Sequence, residues 1–238
     1  MMFNRFINWA HRGAANDAPE NTLLAFQTAV TIGADGIECD LRESKDGVPI
    51  IFHDANLSRI ANRPDRINTL TYKEIRKINA GQKERIPTLS EVIENTPPNF
   101  LLNLEMKAIR PHLLLDEVYR HNAQGRVLIS AFNARALFAI RSLDSSIKIG
   151  YLVEKKMGAD VFEKATKMDA FSLHLSKKLI TKRRVEQIHR RGFLVYSYTV
   201  DEVDRMKQFI GIGVDGLFTN CPDRLVNLLA ERPLRKVG

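Results

Sequence analysis

The stretch Gly36-Ile37-Glu38-Cys39-Asp40-Leu41, followed by Lys45-Asp46-Gly47 and then Pro49-Ile50-Ile51-Phe52-His53-Asp54, decides how the chain is read. Successive side chains on a strand point to opposite faces. Glu38 and Asp40 therefore share one face, and Ile37, Cys39 and Leu41 share the other. The apolar set asks for a helical layer outside it, which turns the two acids toward an enclosed interior. Like charges enclosed together are unfavourable unless a cation neutralises them, and a hard divalent ion with oxygen ligands does so. The plainer reading of the pair alone is two surface carboxylates on a half-exposed strand. Asp-Gly between apolar runs is a tight-turn signal, and the gap from 41 to 49 leaves no room for a helix. A short hairpin follows, and its second strand ends on the ionisable pair His53-Asp54.

Outward from this stretch, β-like runs at 6–10, 36–41, 49–52, 100–106, 127–131, 148–153, 170–175, 193–199 and 214–218 alternate with amphipathic helical segments such as 21–31, 88–94 and 112–121. That rhythm predicts parallel strands joined by crossover helices. With one run assigned to the hairpin, eight staves remain for an α/β (β/α)8 barrel. An open doubly wound sheet is the competing architecture, but neither GxGxxG nor GxxxxGK[ST] occurs. Residues 54–86 are polar and irregular. They read as a small insertion capping one barrel domain that spans residues 1–238.

The chain has 238 residues, 44% hydrophobic and 27% charged, which excludes a disordered protein. Lys and Arg number 36 against 28 Asp and Glu, a net charge of +8. This balance alone permits nucleic acid, an anionic membrane surface or a small anionic substrate. The basic clusters, Lys177 to Arg184 and the tail at 232–236, lack the interleaved aromatics on which a single-strand binder stacks bases. They read as solvated faces, so no nucleic-acid partner is expected. A basic nucleic-acid-binding protein would also give no reason for inward carboxylates. No window approaches 18 apolar residues, so no stable membrane insertion is expected. Residues 1–10 lack the apolar run of a secretory leader. Cys39 and Cys221 lie far apart and outside any CxxC pair, which predicts buried free thiols in a reducing, cytoplasmic setting. The oligomeric state is not legible.

Three further pieces carry chemistry. The first strand ends in His11-Arg12-Gly13, followed by Pro19-Glu20-Asn21-Thr22. In Leu101-Leu102-Asn103-Leu104-Glu105-Met106-Lys107, residues Asn103, Glu105 and Lys107 share a face, which adds a third carboxylate. A lysine beside such acids makes sense if an anion binds there as well. Together, two histidines, three carboxylates, Arg12 and Lys107 fall at the C-terminal ends of strands, where barrel enzymes carry their chemistry. The set suggests a phosphoryl group held by a divalent ion, Arg12 and Lys107, with two imidazoles for proton transfer. Trp9 reads as packing inside the barrel. His174 reads either as a residue of the barrel mouth or as a structural histidine.

In order and spacing, His11-Arg12-Gly13, Pro19-Glu20-Asn21-Thr22, Ile37-Glu38-x-Asp40, Lys45-Asp46-Gly47, His53-Asp54-x-x-Leu57-x-Arg59, Pro87-Thr88-Leu89, Asn103-x-Glu105-x-Lys107, Ser130-Ala131-Phe132 and Gly213-Val214-Asp215-Gly216-Leu217-Phe218-Thr219-Asn220 resemble the glycerophosphodiester phosphodiesterase family, within the phospholipase C-like phosphodiesterases. The resemblance runs from about residue 5 to residue 230. It implies a (β/α)8 barrel that hydrolyses glycerophosphodiesters, such as glycerophosphocholine and glycerophosphoethanolamine, to sn-glycerol 3-phosphate and an alcohol. It implies that Glu38, Asp40 and Glu105 bind one Mg²⁺ or Ca²⁺, with Mn²⁺ as a further candidate. It implies acid and base roles for His11 and His53, phosphate contact by Arg12 and Lys107, and supporting roles for Glu20 and Asp54. Tyr198, in Tyr196-Ser197-Tyr198-Thr199-Val200, stands where the family often has a tryptophan and is expected at the substrate. Ile60-Ala61 replaces a common Thr-Thr pair, a departure that bears on substrate choice. A lysophospholipase D acting on acylated substrates is the rival within the same fold. It would need an apolar rim, which the polar 54–86 segment does not offer.

Overall fold

A computed structural model describes residues 5–231; the basic run at 232–236 lies outside the described residues. Nine strands fall on the nine expected runs: β1 (Ile7–His11), β2 (Gly36–Glu43), β3 (Pro49–Ile51), β4 (Leu101–Ala108), β5 (Val127–Ala131), β6 (Lys148–Val153), β7 (Ser172–Ser176), β8 (Leu194–Tyr198) and β9 (Gly216–Thr219). Their hydrogen-bonded order is β1-β9-β8-β7-β6-β5-β4-β2-β3, and β1 also pairs with β2. Eight parallel strands therefore close a (β/α)8 barrel. β3 lies outside the ring, antiparallel to β2, with Leu41 opposite Ile51. The Asp46-Gly47 turn makes this hairpin, with Gly47 at φ 82°.

Helices follow the staves in sequence. Leu23–Ile32 comes after β1, Leu89–Glu94 after the β2–β3 hairpin, and Pro111–Arg120 after β4. Ala134–Leu143, Ala159–Lys167, Lys182–His189, Val203–Ile212 and Pro222–Ala230 follow β5 to β9. Their starts are set by local chemistry. Thr22 caps the first by accepting from the Ala25 N–H at 3.2 Å, which moves its start past the expected Asn21. Thr88 and Glu91 form a capping box on the second.

The alternation read from the sequence sorts side chains into two layers. Ile37, Cys39, Leu41, Leu102, Leu104 and Met106 pack outward beneath the helices, in the main core. Ile7, Trp9, Leu101, Leu128, Tyr196 and Phe218 form a separate cluster inside the barrel. Trp9 stacks on Phe218 with centroids 5.8 Å apart, and Tyr196 meets it edge-on at 6.0 Å. This aromatic floor plugs the barrel interior as a packed core. The polar residues at the strand ends stand above it.

Residues 54–86 hold more structure than their polarity suggests. Ser58–Ala61 and Tyr72–Ile75 are single-turn helices, and Ile67–Thr69 is a 3-10 turn. Leu57, Ile67, Ile75, Ile78 and Ile86 bury with Ile50 and Phe52 in a core of their own. Their spacing follows neither a helical nor a strand period, which hides them from a pattern search. The apolar side chains point into that core and supply no greasy rim to the barrel mouth.

Candidate active site

The register of the staves brings the acids together. β2 and β4 pair with Asp40 opposite Glu105 and Glu38 opposite Asn103, while β1 pairs with β2 at His11 and Glu38. Glu38, Asp40 and Glu105 are 2%, 1% and 6% exposed. One carboxylate oxygen from each lies within 4.8 Å of the others, the one such group of metal-ligating type among the described residues. Burial pushes Glu38 well above the ordinary carboxylate range, and Asp40 and Glu105 push it further. Burial raises Glu105 as well, against the pull of Lys107. Burial also acts to raise Asp40, but Lys107 and Arg12 outweigh it and hold this carboxyl below its usual range. The cluster is thus short of positive charge. Glu38 Oε1 and Asn103 Oδ1 are buried with no hydrogen-bond partner. Two orphaned oxygens beside three gathered carboxylates fit a hard, oxygen-seeking cation.

Two cations of the chain face the acids. The Lys107 ammonium lies 3.2 Å from Asp40 Oδ1 and also pairs with Glu105. Arg12 Nε is 3.2 Å from Asp40 Oδ2, and the Arg12 backbone N–H donates to Glu38 at 3.1 Å. Asn21 Nδ2 donates to Asp40 at 2.8 Å. Arg12 and Asn21 are both left-handed, at φ 56° and 58°. That conformation is uncommon outside glycine, and strain of this kind clusters at functional sites. It turns both side chains back onto Asp40.

Each imidazole is gripped through Nδ1. His11 Nδ1 is 2.8 Å from Asn220 Oδ1. The Asn220 side-chain nitrogen donates to Asp201 at 2.9 Å, so Asn220 offers its oxygen and His11 Nδ1 carries the hydrogen. His53 Nδ1 is 2.6 Å from Asp54 Oδ1, an acceptor. In both rings Nε2 faces away from that grip, and that of His11 lies 3.8 Å from Glu38 Oε2. Burial, and after it Arg12, lower the pKa of His11. Arg59 then ties the two sides together. It donates to Asp54 at 2.7 Å and forks onto Glu20 at 3.0 and 2.6 Å, while Arg12 reaches Glu20 from the other side at 2.9 Å.

The residues given site roles from the sequence gather at one mouth, with Asp40, Glu20 and Asp54 just behind its lining. His11, Arg12, Glu38, His53, Glu105, Lys107 and Tyr198 line a pocket of about 340 Å³. Asp40 lies beneath it, and Glu20 and Asp54 stand behind Arg12 and His53. His174 sits lower, fully buried, with Ser172 Oγ 2.9 Å from Nε2. It is a residue of the barrel interior and does not line the mouth. Sequence reasoning gave no role to Asn103, Asn220, Asp201, Arg59, Phe132 and Glu154. Asn103 was placed on the face of Glu105 and Lys107, and Arg59, Phe132 and Asn220 lay within quoted motifs, which was the available signal.

Fold and site define an α/β-barrel enzyme whose buried carboxylates, two histidines, Arg12 and Lys107 ring a polar cup at the C-terminal strand ends. Residues 11–224 match the model of the Glycerophosphoryl diester phosphodiesterase family. The chain belongs to this family of phosphodiester-cleaving enzymes. It is 36% identical over 236 residues to a glycerophosphodiester phosphodiesterase of Caldanaerobacter subterraneus subsp. tengcongensis, covering 93% of this chain and 97% of that one. It is 31% identical over 252 residues to one of Bacillus subtilis, covering 92% and 85%. A phosphodiesterase of Oleispira antarctica, solved in complex with the product sn-glycerol-3-phosphate, superposes with a TM-score of 0.89 at 29% identity, covering 94% of this chain and 96% of that chain. Among the described residues, no helix is long and apolar enough to cross a membrane.

Proposed function

We propose that the protein hydrolyses glycerophosphodiesters to sn-glycerol 3-phosphate and an alcohol, with His11 and His53 as proton acceptor and donor. The observation that carries this reading is the gathering of three buried carboxylates between two imidazoles that both present Nε2. Glu38, Asp40 and Glu105 would hold one Mg²⁺ or Ca²⁺. Such an ion polarises phosphoryl oxygens and offsets their charge. Arg12 and Lys107 bind and orient the phosphodiester anion from the protein's own side. One ring takes the proton of the attacking oxygen as the new P–O bond forms. The other gives a proton to the departing alkoxide as the old P–O bond breaks. Positioned proton transfer of this kind contributes roughly 10²- to 10⁴-fold in rate. Tyr198 forms a wall of the substrate space, and Asn220 and Asp54 keep the rings oriented.

The test is hydrolysis of a panel of glycerophosphodiesters, with and without EDTA, followed by Mg²⁺, Ca²⁺ or Mn²⁺ add-back, with sn-glycerol 3-phosphate measured as product. Turnover is expected to vanish with EDTA and to return with at least one ion. Full activity in EDTA would remove the ion from the scheme, and absence of the product would remove the reaction. Lysophosphatidylcholine in the same panel tests the acylated rival. It is expected to be a poor substrate, because the apolar side chains of 54–86 are sequestered in their own core.

A further inference from the structure

On the β5–β8 side of the mouth, three side chains have no place in the scheme above or only a passive one. Phe132, one residue beyond β5, is 42% exposed, and it is the exposed large hydrophobic that lines this pocket. It meets Tyr198 edge-on, with centroids 5.9 Å apart and planes at 89°, so the two rings form a corner. Tyr198 Oη is buried without a hydrogen-bond partner. Glu154, one residue beyond β6, lines the same pocket.

Glu154 differs from its neighbours in one respect. Arg12 and Lys107 meet Asp40, Lys107 meets Glu105, and the Arg12 N–H meets Glu38. Arg59 holds Glu20 and Asp54, and Asn220 holds Asp201. Glu154 is exposed to solvent, and among the described residues its side chain makes no ion pair or hydrogen bond while it lines the pocket. An unpaired acid at the entrance of a site for an anionic diester works against binding of the phosphate. It is accounted for if the ligand brings a positive charge elsewhere. Aromatic faces beside an acid are the chemistry that recognises an ammonium group. The Phe132 ring already receives one, the Lys107 Nζ lying 5.7 Å from its centroid.

We infer that Glu154, with the Phe132–Tyr198 corner, selects diesters whose head-group alcohol carries an ammonium or trimethylammonium charge over those with a neutral polyol. The inference rests on the phosphodiesterase reading above and names the substrate class of that site. Glu154 repels the phosphate of every diester, and a cationic head group offsets that repulsion where a neutral polyol does not.

The experiment compares kcat/KM for glycerophosphocholine, glycerophosphoethanolamine and glycerophosphoglycerol in the parent enzyme, Glu154→Gln and Phe132→Ala, all loaded with the restoring ion. The parent is expected to prefer the two cationic substrates. Glu154→Gln is expected to lower the cationic-to-neutral ratio roughly two- to fivefold, mainly through KM, the range of one ammonium contact at an exposed site. Phe132→Ala should penalise the choline ester more than the ethanolamine ester, because a quaternary ammonium has no N–H to donate elsewhere. A ratio unchanged in Glu154→Gln, with all three substrates turned over, overturns the inference and leaves the phosphodiesterase reading standing. No turnover of any of the three by the parent overturns both.

Discussion

At the scale of single residues, Arg59 is the least conspicuous member of the site and among the most connected. Its side chain is 47% exposed, so its ion pairs with Glu20 and Asp54 add little to stability. What they fix is geometry, because Asp54 orients His53 and Glu20 orients Arg12. Arg59→Ala should lower kcat roughly 10- to 100-fold, the usual effect of losing a partner that orients a site residue, with KM less affected and the melting temperature nearly unchanged. Arg59→Lys should recover only part, since an ammonium lacks the fork. Steady-state kinetics beside a melting curve checks this, and parent-like kcat in Arg59→Ala would remove the clamp from the account. The same residue shows what a sequence conceals. Glu38, Asp40, Glu105 and Lys107 were legible because strand alternation places them, and Asp54 because it adjoins His53. The grip of Arg59 on Glu20 spans 39 residues and that of Asn220 on His11 spans 209, and no local period encodes either.

At the scale of elements, β6 and β7 fit together through an absence. Gly150 faces Ser172, and a Cβ added there would collide with His174 Nε2. The glycine makes room for an imidazole packed beside Tyr196 and Phe218, with ring centroids 5.3 and 5.1 Å away. Burial drives that imidazole's pKa down from 6.5 to about 3, so the folded barrel holds it neutral. The unfolded chain takes up a proton below pH 6.5 that the folded chain refuses until about pH 3. Stability is therefore lost as pH falls through this window, by up to about 1.4 kcal/mol per pH unit from this group, and is untouched above it. His174→Asn should be less stable than the parent at pH 7.5 through lost packing, and the gap should narrow steadily from pH 6.5 to 4.5. Denaturant unfolding across that range gives the answer, and a gap independent of pH would contradict the buried neutral ring. The nine strands were readable from alternation and Asp46-Gly47. The buried core of 54–86 was not, because its apolar residues keep no period.

At the scale of the whole molecule, the acidic cup opposes folding where the aromatic floor supports it. Enclosed like charges destabilise a closed barrel until a cation joins them, so ion binding and folding are linked. At an ion concentration of 100 times Kd, the bound form should gain about 2.7 kcal/mol, roughly 5–10 °C in melting temperature for a chain of this size. Glu38→Gln should melt no lower than the parent in EDTA and should lose most of that rise when Mg²⁺ or Ca²⁺ is added. Calorimetry of both proteins in both buffers tests it, and an equal rise in the two would place the ion elsewhere. One more consequence comes from the seam where β1 meets β9. During synthesis the ribosome makes His11 early and Asn220 some two hundred residues later. A nascent chain can carry all three acids and both imidazoles yet leave the first ring without its tether until the last stave emerges and zips shut. Alignment of the His11 ring therefore waits on the last stave of the barrel.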